Sequence, residues 1–155
     1  MAQNTQMEPY MAIATLSIER AAPTMTDTQA AASICDYPGV RADRNFRIPD
    51  LGVTCSPRPL DGYYLPDPVL PIEILSPSNQ SETWGNVWTY TTIPSVQEIL
   101  VLCSSSIRAD LLRWRPDGSW PEQPESVADG TLTLESIGFE VELAALYRTT
   151  RLAVG

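Results

Sequence analysis

The sequence predicts a mixed α/β fold in which a β-sheet packs against one main helix. Two nearly continuous apolar runs, residues 68–76 and 98–103, are typical of buried strands. Between them, a segment with helical spacing begins after Asn79 and ends before Pro94. Because 155 residues suffice for one domain with a substantial core, we expect these elements to belong to a single unit.

The N-terminal part of the chain has the weakest pattern. Residues 1–34 are rich in Ala, Thr, Gln and Met, and we expect a divergent or poorly ordered segment there. The folded domain is predicted to cover residues 35–155. Within it, residues 46–55 alternate in apolar character around Pro49, which indicates an edge strand, a bulge or the start of a strand.

The predicted helix has a start signal and two stripes. Asn79 followed by Glu82 is the spacing of a capping box. One stripe is expected to face the core and comprises Trp84, Val87, Trp88 and Thr91. The other lies on a different face and comprises Glu82, Asn86 and Tyr90. For Asn86, a solvated position and a place in a functional site are both open.

The C-terminal third predicts shorter elements. Residues 107–115 and the chain after Ser119 indicate a hairpin around the Pro-Asp-Gly turn at residues 116–118. Residues 131–134 predict a short strand, and residues 142–149 predict a short amphipathic helix. The helices are therefore expected to flank a mixed β-sheet.

The composition excludes several chemistries. All ten basic residues are arginines, and the chain contains neither lysine nor histidine. Imidazole bases, histidine zinc sites, the lysine-dependent P-loop and lysine Schiff bases are therefore excluded. The net charge of −9 disfavours general affinity for the DNA backbone. A basic cluster of Arg41, Arg44 and Arg47 favours a solvated loop over a phosphate contact.

The cysteines and the apolar runs indicate the cellular compartment of the protein. Cys35, Cys55 and Cys103 are odd in number and form no CxxC pair, so we interpret them as reduced thiols. No secretory signal or membrane-spanning run is apparent. We therefore expect a cytoplasmic protein that does not insert into a membrane.

Glu73 is the most informative single residue. It lies within an apolar run, where an ionised, dry and unpaired carboxylate costs several kcal/mol. An arginine, a proton or a metal ion must therefore satisfy it. Asp50, in the preceding strand-like segment, is the natural companion of Glu73. Two carboxylates on neighbouring strands repel each other, and this raises the pKa of one of them unless a cation lies between them. Mg²⁺ prefers one or two carboxylates plus water.

Several motifs together resemble one protein family. Residues 47–53 (RIPDLGV), residues 72–79 (IEILSPSN), Tyr90 and residues 94–98 (PSVQE) are similar to the Uma2 family of bacterial restriction-endonuclease-like proteins. That family resembles the PD-(D/E)XK nuclease superfamily, and the resemblance covers roughly residues 36–150. The Glu-Leu-x-Asp-Gly-like sequence near the family's N-terminus has no counterpart in residues 1–34.

This resemblance implies a restriction-endonuclease-like fold and Mg²⁺- or Mn²⁺-dependent hydrolysis of DNA phosphodiester bonds. Asp50 and Glu73 match the family's metal ligands. Asn86 occupies the place of a family lysine four residues before an aromatic, and Leu75 occupies a second lysine position of the superfamily. Asn86 can hydrogen-bond a water or a phosphate oxygen but supplies no charge, whereas Arg47 can substitute for the lysine only electrostatically.

The missing lysines leave a second hypothesis open. In it, the chain keeps the nuclease fold without the chemistry and acts as an oligomeric binding or interaction module, with Glu73 paired to an arginine. A homodimer is compatible with either hypothesis, because similar nuclease domains pair. DNA is the partner expected under the first.

Overall fold

The computed structural model describes residues 33–36, 39–57 and 64–153. These ranges contain two α-helices, α1 (Gln80–Tyr90) and α2 (Leu143–Leu146), and two 3-10 turns, Glu135–Ile137 and Arg151–Ala153. The strands are β1 (Ser33–Asp36), β2 (Val40–Ala42), β3 (Asn45–Arg47), β4 (Leu51–Thr54), β5 (Pro68–Leu75), β6 (Glu98–Cys103), β7 (Ala109–Arg113), β8 (Glu125–Val127), β9 (Thr131–Leu134) and β10 (Phe139–Glu142).

A six-stranded mixed sheet forms the centre of the domain. Its strand order is β1-β4-β5-β6-β7-β8, and two hairpins, β2–β3 and β9–β10, stand apart from it. Strands β5 and β6 are parallel and are connected through α1, while the other neighbours are antiparallel. Every residue of β5 and β6 is buried, which explains their unbroken apolar runs and confirms both predicted strands.

Both faces of the sheet are covered. On one face, α1 and the β2–β3 hairpin pack against a cluster that includes Leu75, Val101 and Leu112. On the other face, the β9–β10 hairpin and α2 pack against a cluster that includes Ile72 and Ile74. Since side chains alternate along a strand, Glu73 points with Leu75 toward the α1 face. The predicted mixed α/β architecture is confirmed.

The two stripes of α1 are arranged differently from the prediction. Tyr90 is fully buried against the sheet although it belongs to the stripe that was not predicted to face the core, whereas Glu82 of the same stripe is exposed. Trp88 is 42% exposed, and its predicted place in the core is wrong. The buried positions are Thr83, Val87 and Tyr90, which shows that the sheet-facing side lies between the two predicted stripes.

The predicted capping box is also wrong. Asn79 is the N-cap residue of α1, but its side chain makes no cap hydrogen bond. Its Oδ1 accepts from the Ser76 N–H at 2.7 Å, and its Nδ2 donates to the Ile74 carbonyl at 3.1 Å. The asparagine therefore fixes the turn between β5 and α1, and the helix ends at Tyr90, four residues before Pro94.

The remaining predictions differ mainly in extent. Residues 46–55 form two strands, β3 and β4, separated at Ile48–Asp50, because Pro49 interrupts the ladder. The hairpin of β7 and β8 is present, with an eleven-residue connection instead of a tight turn. Strand β10 was missed, and the helix predicted over residues 142–149 is limited to α2.

The structure tests only part of the expectations for the cysteines, the N-terminal segment and membrane insertion. Cys103 is buried and Cys55 exposed, and both are free thiols. Strand β1 begins at Ser33. The rest of the N-terminal segment lies outside the described residues, so its predicted disorder and the boundary at residue 35 stay predictions. None of the described helices is long and apolar enough to cross a membrane.

Candidate active site

The strand register brings Asp50 and Glu73 together. Leu51 of β4 pairs with Ile72 of β5 in an antiparallel ladder. One step further along this ladder, Asp50 lies beside Glu73. Both carboxyl groups are buried, with residue exposures of 9% and 5%. The predicted pair is therefore adjacent in space, at the point where β4 begins next to the middle of β5.

The position of Asp50 is fixed by the main chain of β5. Its Oδ2 accepts a hydrogen bond from the Ile74 N–H at 2.7 Å. Pro49 directly precedes it and is buried, and a proline at this point restricts the backbone that enters β4. The carboxyl group therefore takes the place of a strand partner for Ile74 and has little orientational freedom.

Glu73 is held by two residues of helix α1. The Tyr90 hydroxyl donates to Glu73 Oε1 at 2.6 Å, and Asn86 Nδ2 donates to the same oxygen at 3.3 Å. Asn86 and Tyr90 are four residues apart and so lie on one side of the helix. That side faces the sheet, which places the residue at the family's lysine position directly against the predicted metal ligand.

The two carboxyl groups share a proton in this arrangement. Burial is the largest cause that raises the pKa of Glu73, to about 8, and the neighbouring charge of Asp50 adds to it. Burial also raises the pKa of Asp50, but the hydrogen bonds from Ile74 and Glu73 oppose that effect. With its pKa raised to about 8, Glu73 is the member of the pair that holds a proton at neutral pH. Burial and the same two carboxylates raise the pKa of the Tyr90 hydroxyl well above its usual range.

The chemistry of this pair fits a hard divalent cation. Two buried carboxylates are the number that Mg²⁺ uses when it keeps several waters. In the part of the chain that the structure describes, neither Asp50 nor Glu73 forms a salt bridge. The arginine partner of Glu73 that the interaction-module hypothesis expects is therefore not found among these residues. Within the same residues, no group of three or more His, Cys, Asp or Glu side chains could form a fuller ligand set.

The structure thus assembles Asp50, Glu73 and Asn86 at one place, although their predicted roles remain predictions. Sequence reasoning identified Tyr90 as a family position but gave its hydroxyl no role. The signal for that role was the four-residue spacing from Asn86, which places both on the side of α1 that faces Glu73.

A family model matches most of the chain. The Uma2 model, described as "Putative restriction endonuclease", matches residues 18–146. This range contains the four residues of the candidate site, Asp50, Glu73, Asn86 and Tyr90. It begins within the predicted N-terminal segment, where sequence analysis identified no family motif.

One curated relative and one solved structure are also similar. An uncharacterized protein of Synechocystis is 33% identical over 107 residues, which is 68% of this chain and 56% of that protein. The chain thus spans little more than half the length of that relative. A crystal structure from Anabaena variabilis, described as a putative nuclease belonging to DUF820, matches with a TM-score of 0.68 and 17% identity. The match covers 95% of this chain and 82% of the other, and it shows a shared nuclease-like fold.

Proposed function

This chain belongs to the Uma2 family, and on that premise we propose that it is a divalent-cation-dependent endonuclease that hydrolyses phosphodiester bonds in DNA. The observation that carries the proposal is the buried carboxyl pair of Asp50 and Glu73. A fold gains no stability from two adjacent buried acids that lack a cation, whereas a cation site requires them. Groups with perturbed pKa values concentrate at functional sites.

Asp50 and Glu73 would hold Mg²⁺ or Mn²⁺. When bound, such a cation lowers the pKa of a coordinated water and stabilises charge on a phosphate. The protein fixes the two ligands from different elements. The Ile74 N–H orients Asp50, and the Tyr90 hydroxyl orients Glu73. Hydrogen bonds of this kind hold ligands in place and tune their basicity.

Asn86 would act as a neutral hydrogen-bonding group beside the reacting phosphate. Its amide carries both donors and an acceptor, so it can position a water or a phosphate oxygen. It cannot offset negative charge as an ammonium group does. We therefore expect slower hydrolysis than in a relative that has lysine at this position.

The absence of lysine from the whole chain favours one other function. A protein with this fold and a reduced site would serve as an oligomeric binding or interaction module. A homodimer and a cytoplasmic location belong to this proposal as well as to the first. The two functions differ in one measurable property, which is divalent-cation-dependent cleavage.

Calorimetric titration with Mg²⁺ and Mn²⁺, followed by plasmid and oligonucleotide cleavage, tests the proposal. The variants are Asp50→Asn, Glu73→Gln and their combination, with the exposed Asp129→Asn as the matched control. We expect cation binding and cleavage in the wild type and the control, and loss of both in the double variant. Absence of cation binding in the wild type, with DNA present as well, would favour the interaction module. Cleavage that survives in the double variant would refute the assigned site.

A further inference from the structure

The β2–β3 hairpin carries the basic residue Arg47 on its inner face, which is the face toward helix α1. Val40 pairs with Arg47, and Arg41 pairs with Phe46. Cross-strand partners lie on the same side of a hairpin. Val40 is fully buried in the cluster that contains Tyr90, while Arg41 and Phe46 are exposed. Arg47 therefore lies on the side that faces helix α1.

The guanidinium of Arg47 is only partly used by the protein. Its Nε is buried and has no hydrogen-bond partner among the described residues, and one terminal nitrogen donates to the Phe46 carbonyl at 3.4 Å. Among the described residues, no carboxylate pairs with it. A buried donor without an acceptor is rare in native structures, so Arg47 keeps hydrogen-bonding capacity that the described residues do not use.

The position of Arg47 relative to the site supports an external acceptor. Arg47 precedes Asp50 by three positions in the chain, and Pro49 stiffens this connection. Burial and the two carboxyl groups raise the pKa of the Tyr90 hydroxyl, and the charge of Arg47 partly opposes this rise. Among the described residues, Arg47 thus lies on the side of the hairpin that faces helix α1 and forms no ion pair with either carboxyl group.

We propose that Arg47 binds a phosphate oxygen of the DNA strand at the carboxyl site, and so supplies the positive charge that the missing lysine would otherwise provide. This inference rests on the proposed function. Arginine suits the task because its planar group forms paired hydrogen bonds with phosphate. It remains charged and serves in electrostatic binding only, not as a base. In a chain of net charge −9, such local positive charge is what allows a polyanion to approach.

The test is binding of a fluorescent DNA duplex and of a single strand, measured by anisotropy in Ca²⁺, another hard cation with affinity for carboxylates. Arg47→Met keeps most of the apolar stem and removes the charge. Loss of a charged hydrogen bond predicts about 10- to 100-fold weaker binding for this variant. Arg47→Lys should recover part of the loss, because it restores charge without the fork.

Arg41→Met is the matched control, since Arg41 lies on the outer face of the same hairpin. We expect its DNA affinity to stay within about threefold of the wild type, as for one solvated charge. Steady-state cleavage in Mg²⁺ should show a lower kcat/KM for Arg47→Met and wild-type behaviour for Arg41→Met. Thermal unfolding checks that both variants remain folded.

The outcomes separate this inference from the proposed function. Equal DNA affinity of the wild type and Arg47→Met overturns the inference while cation-dependent cleavage can still stand. Equal losses in the Arg47 and Arg41 variants also overturn it, since they indicate a diffuse basic surface. A wild type that binds no DNA overturns both. Loss of DNA affinity only in the Arg47 variants supports the inference even where the carboxyl variants fail to change cleavage.

Discussion

Replacement of Glu73 by glutamine should remove a pH dependence from the stability of the protein. In the folded protein the pKa of Glu73 is about 8, raised from 4.5. The folded state therefore holds this proton more tightly than the unfolded state between these two values. Unfolding free energy follows the difference in bound protons between the two states. The contribution of Glu73 to stability is therefore fully present below pH 4.5 and is lost as the pH rises toward 8.

The magnitude follows from the same two values. Between roughly pH 5 and pH 7.5, the wild type without a cation should lose about 3 kcal/mol of unfolding free energy through this one group. For a protein of this length, that loss lowers the melting temperature by about 6–12 °C. Glutamine mimics the protonated acid, because its carbonyl accepts from Tyr90 and its amide donates to Asp50. Glu73→Gln should therefore escape the loss.

The assay is urea denaturation of both proteins in EDTA across this pH range. The two stability curves should nearly coincide at low pH and separate as the pH rises, with the variant more stable. Addition of Mg²⁺ at about ten times its dissociation constant should then stabilise the wild type by about 1.4 kcal/mol and leave the variant unchanged. Parallel pH profiles for the two proteins would refute the assignment of the shared proton to Glu73.

Three further substitutions test other parts of the structure. Tyr90→Phe removes the hydroxyl that donates to Glu73, so we expect a still higher pKa for that carboxyl, about 1–2 kcal/mol lower stability and weaker Mg²⁺ binding by calorimetry. Asn86→Lys restores an ammonium beside Glu73 and should increase plasmid cleavage by about tenfold or more, and unchanged cleavage would contradict the role given to this position. Arg113→Met leaves Glu98 buried without its cation and should cost about 3–5 kcal/mol in denaturation experiments, while Mg²⁺ affinity per folded molecule stays the same.

Much of the fold could be predicted because the strongest signals coincide with complete burial. Strands β5 and β6 are buried along their whole length, so their apolar runs are long and unambiguous. Strand β10 has only one buried residue, Phe139, and two exposed glutamates, so its sequence shows little apolar character. Its pairing with β9 depends on the turn at Gly138, whose positive φ of 61° suits glycine.

The faces of α1 were harder to predict than its existence. Periodicity alone shows which residues share a side, but not which side meets the sheet. The tryptophans suggested one face, while the structure buries Tyr90 and leaves Trp88 exposed. The hydroxyl of Tyr90 donates to the buried carboxyl group of Glu73, a polar contact that hydrophobic periodicity does not reveal.

The candidate site shows what sequence can and cannot distinguish about buried acids. Glu98, like Glu73, belongs to an apolar strand and is almost fully buried. Its carboxylate, however, accepts from Arg113 Nε at 2.8 Å and from the N–H groups of Glu135 and Ser136. These partners come from distant parts of the chain, so no local pattern reveals them.

The contrast between the two glutamates is the strongest structural argument for a site at Glu73. Glu98 receives a cation and two main-chain donors, which together offset the cost of burying its charge. Among the described residues, Glu73 receives only neutral donors and lies against a second carboxyl group, and burial and this neighbour raise its pKa to about 8. Selection for stability alone would replace such a group with an apolar residue or give it an arginine, as β6 and β7 do for Glu98. The proposed cation site would account for this arrangement, because a divalent ion offsets the charge of two buried carboxylates.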